Sequence, residues 1–571
     1  MSGQSRVRRV ARALRAAWRG SRLRLLIGDP QWHPLPAASL DDPADGSSVS
    51  RDFVRVRGWA MSEAGLADRV ELTVDGAPAA VARLCAPRPD LVPAFGKEHA
   101  MLGGFEHALD LTGLPPGTDS IVLGGVAHLP DGSSLALKPA HIRIEDPELA
   151  SYDEERAALL RSRTPVAPAA EPIAGERPPH VLVVTHDLNL GGGQLVLLEL
   201  LERFAAERGM TGAVVAPRRG ATLKRLEAAG FPVHVMGELP LDDVEAYEGR
   251  LAELVAWAAP QGFDAVLVNT MVAFAGGDVA ERLGLPAVWI VHESYGLDGF
   301  WATFPEEWLH PHMRQRGVAT FGDAAAVIFE ADATRRLFEA DAAPGACRTI
   351  PYGIDVPALG VWGHEWDRAR ARRELELDPE DVVIACIGTI EPRKGQTQLV
   401  EAFARVAAAH PRARLALVGS REDGHERAPQ IAIEAHGLEN RVDIVPVRPD
   451  VRPWYAAADL LVCASDVESL PRTVLEAMAL RLPVLATDVF GLPEVIRDGE
   501  TGWLCTQRDT AALTDGLARA LSTPPAERKA IADAAWELIA REHDSATCAA
   551  RYADVIEAAA RRASAVATDR D

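Results

Sequence analysis

The feature that most constrains this chain is an alternation of short apolar runs with helical patterns, which occurs twice in succession. One series begins at His180–Thr185, and a second begins at Val382–Gly388. Short runs of Val, Ile and Leu without polar alternation predict strands that are buried on both faces, as in a parallel sheet covered by helices. The sequence therefore predicts an α/β chain with two parallel-sheet domains in tandem.

Each series contains five predicted strands. Those of the first are His180–Thr185, Gly212–Ala216, Phe231–Val235, Ala265–Asn269 and Ala287–His292; those of the second are Val382–Gly388, Arg414–Gly419, Asp443–Val447, Leu460–Ala464 and Pro483–Ala486. Helical spacing follows the first strand of each series, at Gln194–Arg208 and Gln396–His410. Because the carboxyl ends of parallel strands meet at one edge of a sheet, where ligands bind, we expect a shared cleft between the two sheets.

A basic segment precedes these domains. Residues 1–28 hold eight arginines and no acidic residue, and apolar residues such as Leu14 and Trp18 recur at helical spacing within 5–27. A basic amphipathic helix, assigned to residues 1–30, suits the anionic surface of a membrane. The alternatives are a disordered basic arm and a helix that docks onto the acidic remainder of the chain.

Residues 48–146 show a different pattern, of short alternating runs separated by turns that contain Gly or Pro. The runs Phe53–Trp59, Arg69–Val74 and His141–Ile144 predict a small all-β sandwich. Carbohydrate binding, partner binding and a spacer or docking role are all compatible with it. Residues 147–179 are rich in Ala, Pro and Glu, which is typical of a semi-rigid linker.

The charge balance restricts the partners of this chain. Its 60 Lys and Arg against 82 Asp and Glu give a formal charge of −22, which argues against nucleic-acid binding. The six cysteines form no C-x-x-C pair, so we expect buried thiols in a reducing compartment. The sequence has neither an apolar run of about 18 residues nor a signal-peptide core. We expect a cytoplasmic protein, peripheral on the inner face of the cell membrane if the basic helix binds lipid.

Two glutamates with seven residues between them, Glu468 and Glu476, bracket the start of the predicted helix Arg472–Leu480. The start of a helix offers unpaired backbone N–H groups and the positive end of the helix dipole, which together suit a diphosphate. Leu470 and Pro471 lie where those amides begin. The alternative is an acidic pair that only caps the helix.

A second cluster, Gly388-Thr-Ile-Glu-Pro-Arg393-Lys394-Gly395, lies between the first strand and the first helix of the second series. Basic residues in a turn are usually solvated, but these stand at the carboxyl end of a core strand. Arg393 and Lys394 can reach two phosphates from there. In the first series, His292 ends an apolar strand within Val-His-Glu-Ser, where the sequence allows either a satisfied core residue or a cleft residue.

In this order, the glycines at 191–193, His-Glu-Ser, Glu-Pro-Arg-Lys-Gly, the glutamate pair and Gly491-Leu-Pro-Glu494 resemble the retaining glycosyltransferase family 4, over roughly residues 180–560. The resemblance implies the GT-B fold, in which two Rossmann-like domains face a cleft. It places an acceptor-side domain at 180–365, a nucleotide-sugar domain at 366–545, and a returning helix and tail at 546–571. The sandwich resembles the immunoglobulin-like accessory domains found beside bacterial members.

The resemblance also implies a role for each site residue. Arg393, Lys394, Leu470 and Pro471 would bind the donor diphosphate, Glu476 the donor ribose, and Val447 and Arg448 the base region; His292 and Glu468 would be the catalytic residues at the transferred sugar, and Gly192 and Gly193 a flexible loop. One departure is Thr389, where many members have Arg. Arg393 is then expected to supply the missing cation.

The implied reaction moves a sugar from a nucleotide diphosphate sugar to a glycan or lipid-linked acceptor, in cell-envelope polysaccharide synthesis. Same-face attack would retain the anomeric configuration, so no enzyme nucleophile is assigned. Side-chain cations would hold the leaving diphosphate, and we therefore expect no metal or other cofactor. The alternatives are an epimerase or phosphorylase of the same fold, and a catalytically degenerate GT-B protein that binds glycans or serves as a scaffold.

Overall fold

The computed structural model describes residues 35–145 and 177–568, except positions 52, 96, 112, 116, 302–303, 305–307, 422 and 449. The predicted basic helix at 5–27 lies outside the described residues, and so do residues 147–176 of the predicted linker. The described chain is a β-sandwich followed by two parallel-sheet domains. Among the described helices, none combines the length and the apolar character needed to cross a membrane.

Residues 37–145 form two sheets that share one core. Along Phe53–Ser62, Val54 and Val56 are buried while Arg55 and Arg57 are exposed, as the two-residue period of a strand requires. The strands of one sheet are β1 (Ala37–Asp42), β3 (Phe53–Ser62), β4 (Gly65–Leu66), β7 (Arg83–Ala86) and β8 (Gly104–Asp110); those of the other are β2 (Ser48–Ser50), β5 (Arg69–Val74), β6 (Ala77–Val81), β9 (Ser120–His128), β10 (Ser134–Ala136) and β11 (Ala140–Glu145). The sandwich is antiparallel as predicted, except that β2 and β11 run parallel.

The sandwich packs directly on the second α/β domain. A short helix, α1 (Leu91–Phe95), was not predicted, and it carries Phe95 into the same buried cluster as Phe403. Beside this contact, Nη1 of Arg405 lies 2.6 Å from Oδ1 of Asp68 in the sandwich. Of the roles that the sequence left open, a shared apolar core favours docking over a free spacer.

The first α/β domain contains a seven-stranded parallel sheet. Its strands are β12 (His180–Thr185), β13 (Thr211–Ala216), β14 (Val233–Val235), β15 (Ala265–Asn269), β16 (Ala287–Val291), β17 (Ala326–Phe329) and β18 (Cys347–Thr349), in the spatial order β14-β13-β12-β15-β16-β17-β18. Its helices are α2 (Gly192–Arg208), α3 (Leu223–Ala228), α4 (Val244–Ala258), α5 (Ala275–Leu283), α6 (Leu297–Trp301), α7 (Pro311–Gly322), α8 (Asp332–Phe338) and α9 (Val356–Glu365). The sequence analysis predicted neither β17 nor β18, which follow the helical region after β16.

The second α/β domain contains a six-stranded parallel sheet. Its strands are β19 (Val382–Ile387), β20 (Ala413–Ser420), β21 (Val442–Pro446), β22 (Leu460–Cys463), β23 (Val484–Thr487) and β24 (Trp503–Cys505), in the order β21-β20-β19-β22-β23-β24. Its helices are α10 (Arg368–Glu374), α11 (Gln396–Val406), α12 (Arg427–Ala435), α13 (Arg452–Ala457), α14 (Arg472–Ala479), α15 (Leu492–Val495), α16 (Thr510–Ser522) and α17 (Pro525–Glu542).

The last helix, α18 (Ser545–Thr568), crosses back to the first α/β domain. The hydroxyl of Tyr552 donates to the carbonyl of Ile350 at 2.8 Å, and Nη2 of Arg208 lies 2.6 Å from Oδ1 of Asp554. The two α/β domains are therefore joined twice by the chain, once before α10 and once at α18.

Candidate active site

Both parallel sheets reverse their strand order at one point. In the first sheet the reversal lies between β12 and β15, and in the second it lies between β19 and β22. Loops that leave two neighbouring strands in opposite directions open a crevice between them, which is where ligands bind in this kind of sheet. The glycines at 191–193 follow β12, Lys394 follows β19 and Glu468 follows β22. The fold therefore places these predicted residues at the two crevices.

The first domain contributes one wall of the cleft, here called the N-wall. It collects polar residues from the carboxyl ends of four adjacent strands, β12, β15, β16 and β17. These residues are Thr185, His186, Asn269, Thr270, His292, Glu293 and Glu330. Each strand supplies only one or two of them, so the wall exists only once the sheet is assembled.

His292 is held in the N-wall through both ring nitrogens. Its Nδ1 contacts the buried carboxylate of Glu330, and its Nε2 lies 2.9 Å from Oδ1 of Asn269. Burial by itself would lower the pKa of His292, but the charge and hydrogen bond of Glu330 raise it above its ordinary value. The raised pKa favours the protonated ring, in which both nitrogens donate, to Glu330 and to Asn269. In that form the ring carries a positive charge and has no nitrogen free to act as a base.

Gly192 and Gly193 lie in the first turn of α2, so the prediction of a flexible loop was wrong. A Cβ on Gly193 would lie 2.9 Å from Cδ2 of His292, whereas nothing lies within 4 Å of the equivalent position on Gly192. Only glycine at 193 lets the start of α2 approach the imidazole this closely. Packing against His292 thus outweighs the poor helix propensity of the two glycines.

Six N-wall residues were not predicted as site residues from the sequence: Thr185, His186, Asn269, Thr270, Glu293 and Glu330. Thr270 has a φ of 77°, which is rare for a β-branched residue, and its Oγ1 lies 2.9 Å from Nδ1 of His186. Burial lowers the pKa of His186, so this ring is neutral beside the charged ring of His292. Each of these residues ends an apolar strand or comes just after one, which is the signal that singled out His292.

The second domain contributes the opposite wall, here called the C-wall, from residues 388–395 after β19 and residues 464–471 after β22. Nζ of Lys394 contacts Oε1 of Glu468, and Nη1 of Arg393 lies 3.7 Å from the same oxygen. The hydroxyl of Ser465 donates to it at 3.0 Å. Burial would raise the pKa of Glu468, but Lys394 and Arg393 lower it, so Glu468 is a carboxylate. The structure thus brings two predicted phosphate-binding cations onto one predicted sugar-binding carboxylate.

Gly395 holds the two loops of the C-wall together. Its φ is 67°, and a Cβ on it would lie 2.0 Å from the carbonyl oxygen of Ala464. The backbone N–H of Asp466 also donates to the carbonyl of Arg393 at 2.8 Å. A residue with a side chain at 395 would separate the loops, because both the backbone conformation and the close approach favour glycine.

Glu476 is buried beneath the C-wall, with an exposed fraction of 8%. Its Oε2 accepts a hydrogen bond from the hydroxyl of Tyr455 and its Oε1 accepts one from Nε of Arg472, both at 2.7 Å. The guanidinium of Arg472 also donates to both carboxylate oxygens of Glu199 in α2, at 2.7 and 2.8 Å. Glu476 therefore supports a contact between the two domains, and a carboxylate with two such bonds still has lone pairs for a ribose hydroxyl.

Leu470 and Pro471 lie at the seam between the two domains. The carbonyl of Leu470 accepts a hydrogen bond from the hydroxyl of Tyr352 at 2.5 Å, and the hydroxyl oxygens of Ser469 and Thr334 are 3.1 Å apart. Pro471 precedes α14, and no side chain caps the start of that helix. The N–H of Val474 donates back to the carbonyl of Pro471 at 3.0 Å, which leaves the N–H groups of Arg472 and Thr473 to bind an anion.

Glu494 makes a further contact across the seam. Its carboxylate accepts hydrogen bonds from the backbone N–H groups of Asp332 and Ala333, at 3.0 and 2.8 Å, where α8 begins. A carboxylate at the positive end of a helix dipole is favourable. The sequence analysis used Glu494 only as part of a motif and assigned it no contact of this kind.

Val447 and Arg448 stand apart from the other predicted residues. They follow β21, an edge strand two positions away from β19, and both side chains are exposed. Val447 is a large apolar residue with an exposed fraction of 47%. The structure does not bring them into contact with Lys394 or Glu468, and their role at the base stays a prediction.

Within the part of the chain that the structure describes, one group of side chains could hold a metal ion: His99, Glu401 and His436. Nε2 of His99 and Nε2 of His436 lie 2.7 and 2.9 Å from the two carboxylate oxygens of Glu401. The group joins the sandwich to the second domain and includes no residue of either cleft wall. The expectation that the reaction needs no metal or other cofactor stays a prediction.

Comparison with known proteins identifies the class to which this molecule belongs. Residues 190–357 match the family described as Glycosyltransferase Family 4, and residues 367–537 match the family described as Glycosyl transferases group 1. The protein is a glycosyltransferase that carries these two domains in that order. Its two α/β domains have the predicted GT-B fold, and the all-β region precedes them as predicted.

Two relatives and one solved structure that resemble this chain are each less than 30% identical to it. The D-inositol 3-phosphate glycosyltransferase of Actinosynnema mirum is 28% identical over 393 residues, which cover 66% of this chain and 91% of the relative. The enzyme of the same name from Segniliparus rotundus is 28% identical, over 67% of this chain and 84% of the relative. Among solved structures, Anabaena HepE in complex with UDP and glucose has a TM-score of 0.56 and 22% identity, and the alignment covers 66% of this chain and 99% of that one. The structural likeness confirms the fold.

Proposed function

We propose that this protein moves a sugar from a nucleotide diphosphate sugar to a glycan or lipid-linked acceptor, with retention of the anomeric configuration. The observation that carries the proposal is the convergence of Lys394 and Arg393 beside the uncapped start of α14, at the switch point of the second sheet. Two cations and the first two N–H groups of a helix suit a diphosphate better than a neutral ligand.

The chemistry follows from the charges. When the bond between sugar and diphosphate breaks, negative charge grows on the leaving phosphate, and preformed cations in a desolvated cleft stabilise it. Without a donor, Lys394 contacts Glu468, and Arg393 lies between Glu468 and Glu391, whose Oε2 is 3.0 Å from Nε of Arg393. An arriving diphosphate competes for both cations and releases the Glu468 carboxylate, which then accepts hydrogen bonds from hydroxyls of the transferred sugar.

The N-wall supplies the opposite side of the reaction. The imidazolium of His292 lies against Gly193, where the first domain faces the donor. A charge held by Glu330 and Asn269 cannot accept a proton from the acceptor, so His292 acts by electrostatics and positioning. Because no side chain is assigned as a nucleophile, the leaving diphosphate itself takes the acceptor proton in a same-face displacement.

The first experiment is a screen of UDP-, GDP- and ADP-sugars by thermal shift, followed by nucleotide release. UDP-glucose is the first donor to test, because HepE was solved with UDP and glucose. We expect one donor to raise the melting temperature of the wild type, and Lys394→Ala to abolish that shift. Lys529→Ala is the matched control, since Lys529 lies on the exposed face of α17 and pairs with Asp533. NMR of the product anomer then tests retention.

The acceptor is tested separately. The curated relatives are named for D-inositol 3-phosphate, so this compound and lipid-linked oligosaccharides form the first acceptor panel. The basic segment 5–27 supports a role at an anionic membrane in cell-envelope polysaccharide synthesis. Removal of residues 1–30 is expected to release the protein from anionic liposomes, and undiminished liposome binding would refute the membrane role.

A degenerate, glycan-binding scaffold is the second candidate. It is favoured only if no donor shifts the melting temperature and no nucleotide is released in the presence of any acceptor. The geometry of the C-wall pair does not distinguish an enzyme from a scaffold, because a scaffold could keep the pair for stability alone. Turnover is therefore the deciding measurement.

A further inference from the structure

We propose that the β-sandwich forms one wall of the acceptor-binding site and contacts a carbohydrate chain longer than a single sugar. This inference rests on the proposed transferase function and names the part of the molecule that recognises the acceptor. Nothing in the sequence of the sandwich marks it as a binding domain, and the inference comes from where the sandwich is docked.

A cavity of about 1140 Å³ lies where the sandwich and the two α/β domains meet. The sandwich lines it with Phe53, Arg55, Arg83, Glu106, His107 and Asp110. This volume exceeds that of an ordinary small-molecule pocket, which is roughly 300–1,000 Å³. It is therefore large enough for several sugar units.

The cavity is continuous with the cleft. Arg393 and Glu391 of the C-wall line it, and so do Ser294 and Tyr295, which follow His292 and Glu293 in the chain. An acceptor that lies in the cavity would thus end beside the cations that hold the donor diphosphate. The sandwich lines the other end of the same space.

The junction is built from both sides. Asp466 of the C-wall is 2% exposed, and its Oδ2 lies 3.3 Å from Nε of Arg83 in the sandwich and 3.6 Å from Nε of Arg508. Nη1 of Arg508 also donates to the carbonyl of Val81 at 2.6 Å. A buried carboxylate bound by one arginine from each domain fixes the sandwich next to Arg393, because the C-wall loop contains both Asp466 and the partner of Arg393.

Phe53 closes the cavity on the side of the first α/β domain. A Cβ on Gly299, in α6, would lie 3.6 Å from Cζ of Phe53, so the aromatic ring is in van der Waals reach of that helix. Tyr295, Phe304 and Phe490 also line the cavity. Aromatic faces beside charged hydrogen-bonding groups suit the alternating apolar and hydroxylated surfaces of sugars.

Polar groups in the cavity are available for hydroxyls. Arg55 is exposed, and its side chain has no ion-pair or hydrogen-bond partner within residues 35–145 and 177–568 where the structure describes them. His107 has its pKa lowered to about 4 by burial and by the charges of Arg508 and Arg83, so it is a neutral hydrogen-bonding group.

The test uses the full-length protein and an array of oligosaccharides of glucose, mannose and galactose, one to six units long, with and without UDP. We expect the wild type to bind longer chains more tightly than single sugars. Arg55→Ala should weaken that binding about tenfold, which corresponds to about 1.4 kcal/mol. Arg57→Ala is the matched control, because Arg57 is exposed on the same strand but does not line the cavity.

Lys394→Ala separates this inference from the proposed function. Lys394→Ala should abolish donor binding and leave oligosaccharide binding unchanged. Arg55→Ala should weaken oligosaccharide binding and leave donor binding unchanged. Phe53→Ala is a second variant of the sandwich wall, used with circular dichroism to check that it folds. If no oligosaccharide binds the wild type, or if Arg55→Ala and Phe53→Ala bind every oligosaccharide as tightly as the wild type, the sandwich is not part of the acceptor site.

Discussion

The N-wall and the C-wall of the cleft both stand at the carboxyl ends of parallel strands, but they hold their charges differently. In the C-wall, the side chains of Arg393 and Lys394 are 36% and 21% exposed and share one carboxylate. In the N-wall, His292 and Glu330 are 13% and 4% exposed and pair only with groups of their own wall. The C-wall cations can exchange Glu468 for a ligand, whereas the charge of His292 is fixed.

This difference indicates that the C-wall binds a ligand and that the N-wall positions the reacting groups. Lys394 reaches the cleft and has one carboxylate partner, Glu468, which suits it to a phosphate that arrives and leaves. Arg393 also pairs with Glu391 at 3.0 Å. A buried imidazolium with two protein partners is suited to providing a fixed electrostatic field and a fixed surface on the acceptor side of the cleft. Variants of the two walls should therefore fail in different ways.

The largest effect is expected from the C-wall. Lys394→Ala should lower the rate of nucleotide release about 10²–10³-fold, because it removes a preorganised cation from the leaving group. The value of kcat/KM for the donor, from steady-state release of nucleotide, measures this effect, with Lys529→Ala at the wild-type value. A rate within twofold of the wild type for Lys394→Ala would mean that Arg393 and the helix start suffice, and that the C-wall does not depend on Lys394.

The next largest effect is expected from the N-wall, where Gly193→Ala can be compared with Gly192→Ala as its matched control. Gly193→Ala places a methyl group 2.9 Å from His292 and should displace the ring, with a loss of about 10–100-fold in turnover and little change in donor affinity. Gly192→Ala faces open space and should keep nearly full activity. Equal losses in the two variants would show that helix propensity, and not contact with His292, explains the glycines.

A smaller, pH-dependent effect is expected from Glu330→Gln. In the wild type the pKa of His292 is raised above 6.5, so the imidazolium persists above that pH. Without the Glu330 charge, burial dominates and lowers this pKa, and activity above neutral pH should fall about tenfold. Profiles of kcat/KM against pH, with the His292 titration followed by NMR, measure the shift.

The stability of the protein should change with pH in the same direction as its activity. The contribution of the His292 pair is fully present below about pH 6.5 and is lost as the pH rises through the raised pKa. We expect the wild type to lose stability as the pH rises through this pKa, and we expect Glu330→Gln to remove that dependence on pH. If the alkaline limb of activity does not move in Glu330→Gln, the charge of His292 is not part of the reaction.

The smallest effect concerns the sandwich, which is docked on the C-wall domain. Burial would raise the pKa of Glu401, but hydrogen bonds from His436 and His99 lower it to about 2, and the bond to Glu401 raises the pKa of His436. The Glu401 contribution is lost as the pH falls from 4.5 toward 2, and that of His436 is lost as the pH rises from 6.5 through its raised pKa. Docking should be strongest between these two limits.

Limited proteolysis of the full-length protein across this pH range measures docking. His436→Ala should cost about 1–3 kcal/mol and remove the alkaline dependence, since the buried carboxylate of Glu401 loses one of its two hydrogen-bond partners. His141→Ala, at an exposed position of the sandwich, is the control. A profile for His436→Ala that matches the wild type would show that the apolar contact of Phe95 and Phe403 holds the sandwich alone.

Much of the architecture could be predicted from local patterns. The predicted strands Arg69–Val74, His180–Thr185 and Ala265–Asn269 have the observed bounds, because the side-chain alternation or the apolar run that defines each one is contained within it. By contrast, α1 and β18 were not predicted. Both are short elements held by packing against other parts of the chain, so their own residues carry little signal.

The two walls also differ in how far they could be predicted from the sequence. The C-wall is drawn from two short loops, so Lys394, Glu468 and Gly395 appear within motifs that can be recognised along the sequence. The N-wall is drawn from single residues after four strands, and Glu330 lies 38 positions from His292. Only the assembled sheet brings such residues together.

The sequence by itself determined the two parallel-sheet domains, the preceding sandwich and the residues at the switch points, because strand pattern and loop motifs are local properties. The tertiary structure alone decided that His292 pairs with Glu330, that Lys394 and Arg393 meet at Glu468, and that the sandwich borders the cleft. Charge state and cavity shape depend on which groups are brought within a few ångströms of one another, and that distance is set by the packing of elements far apart in the chain.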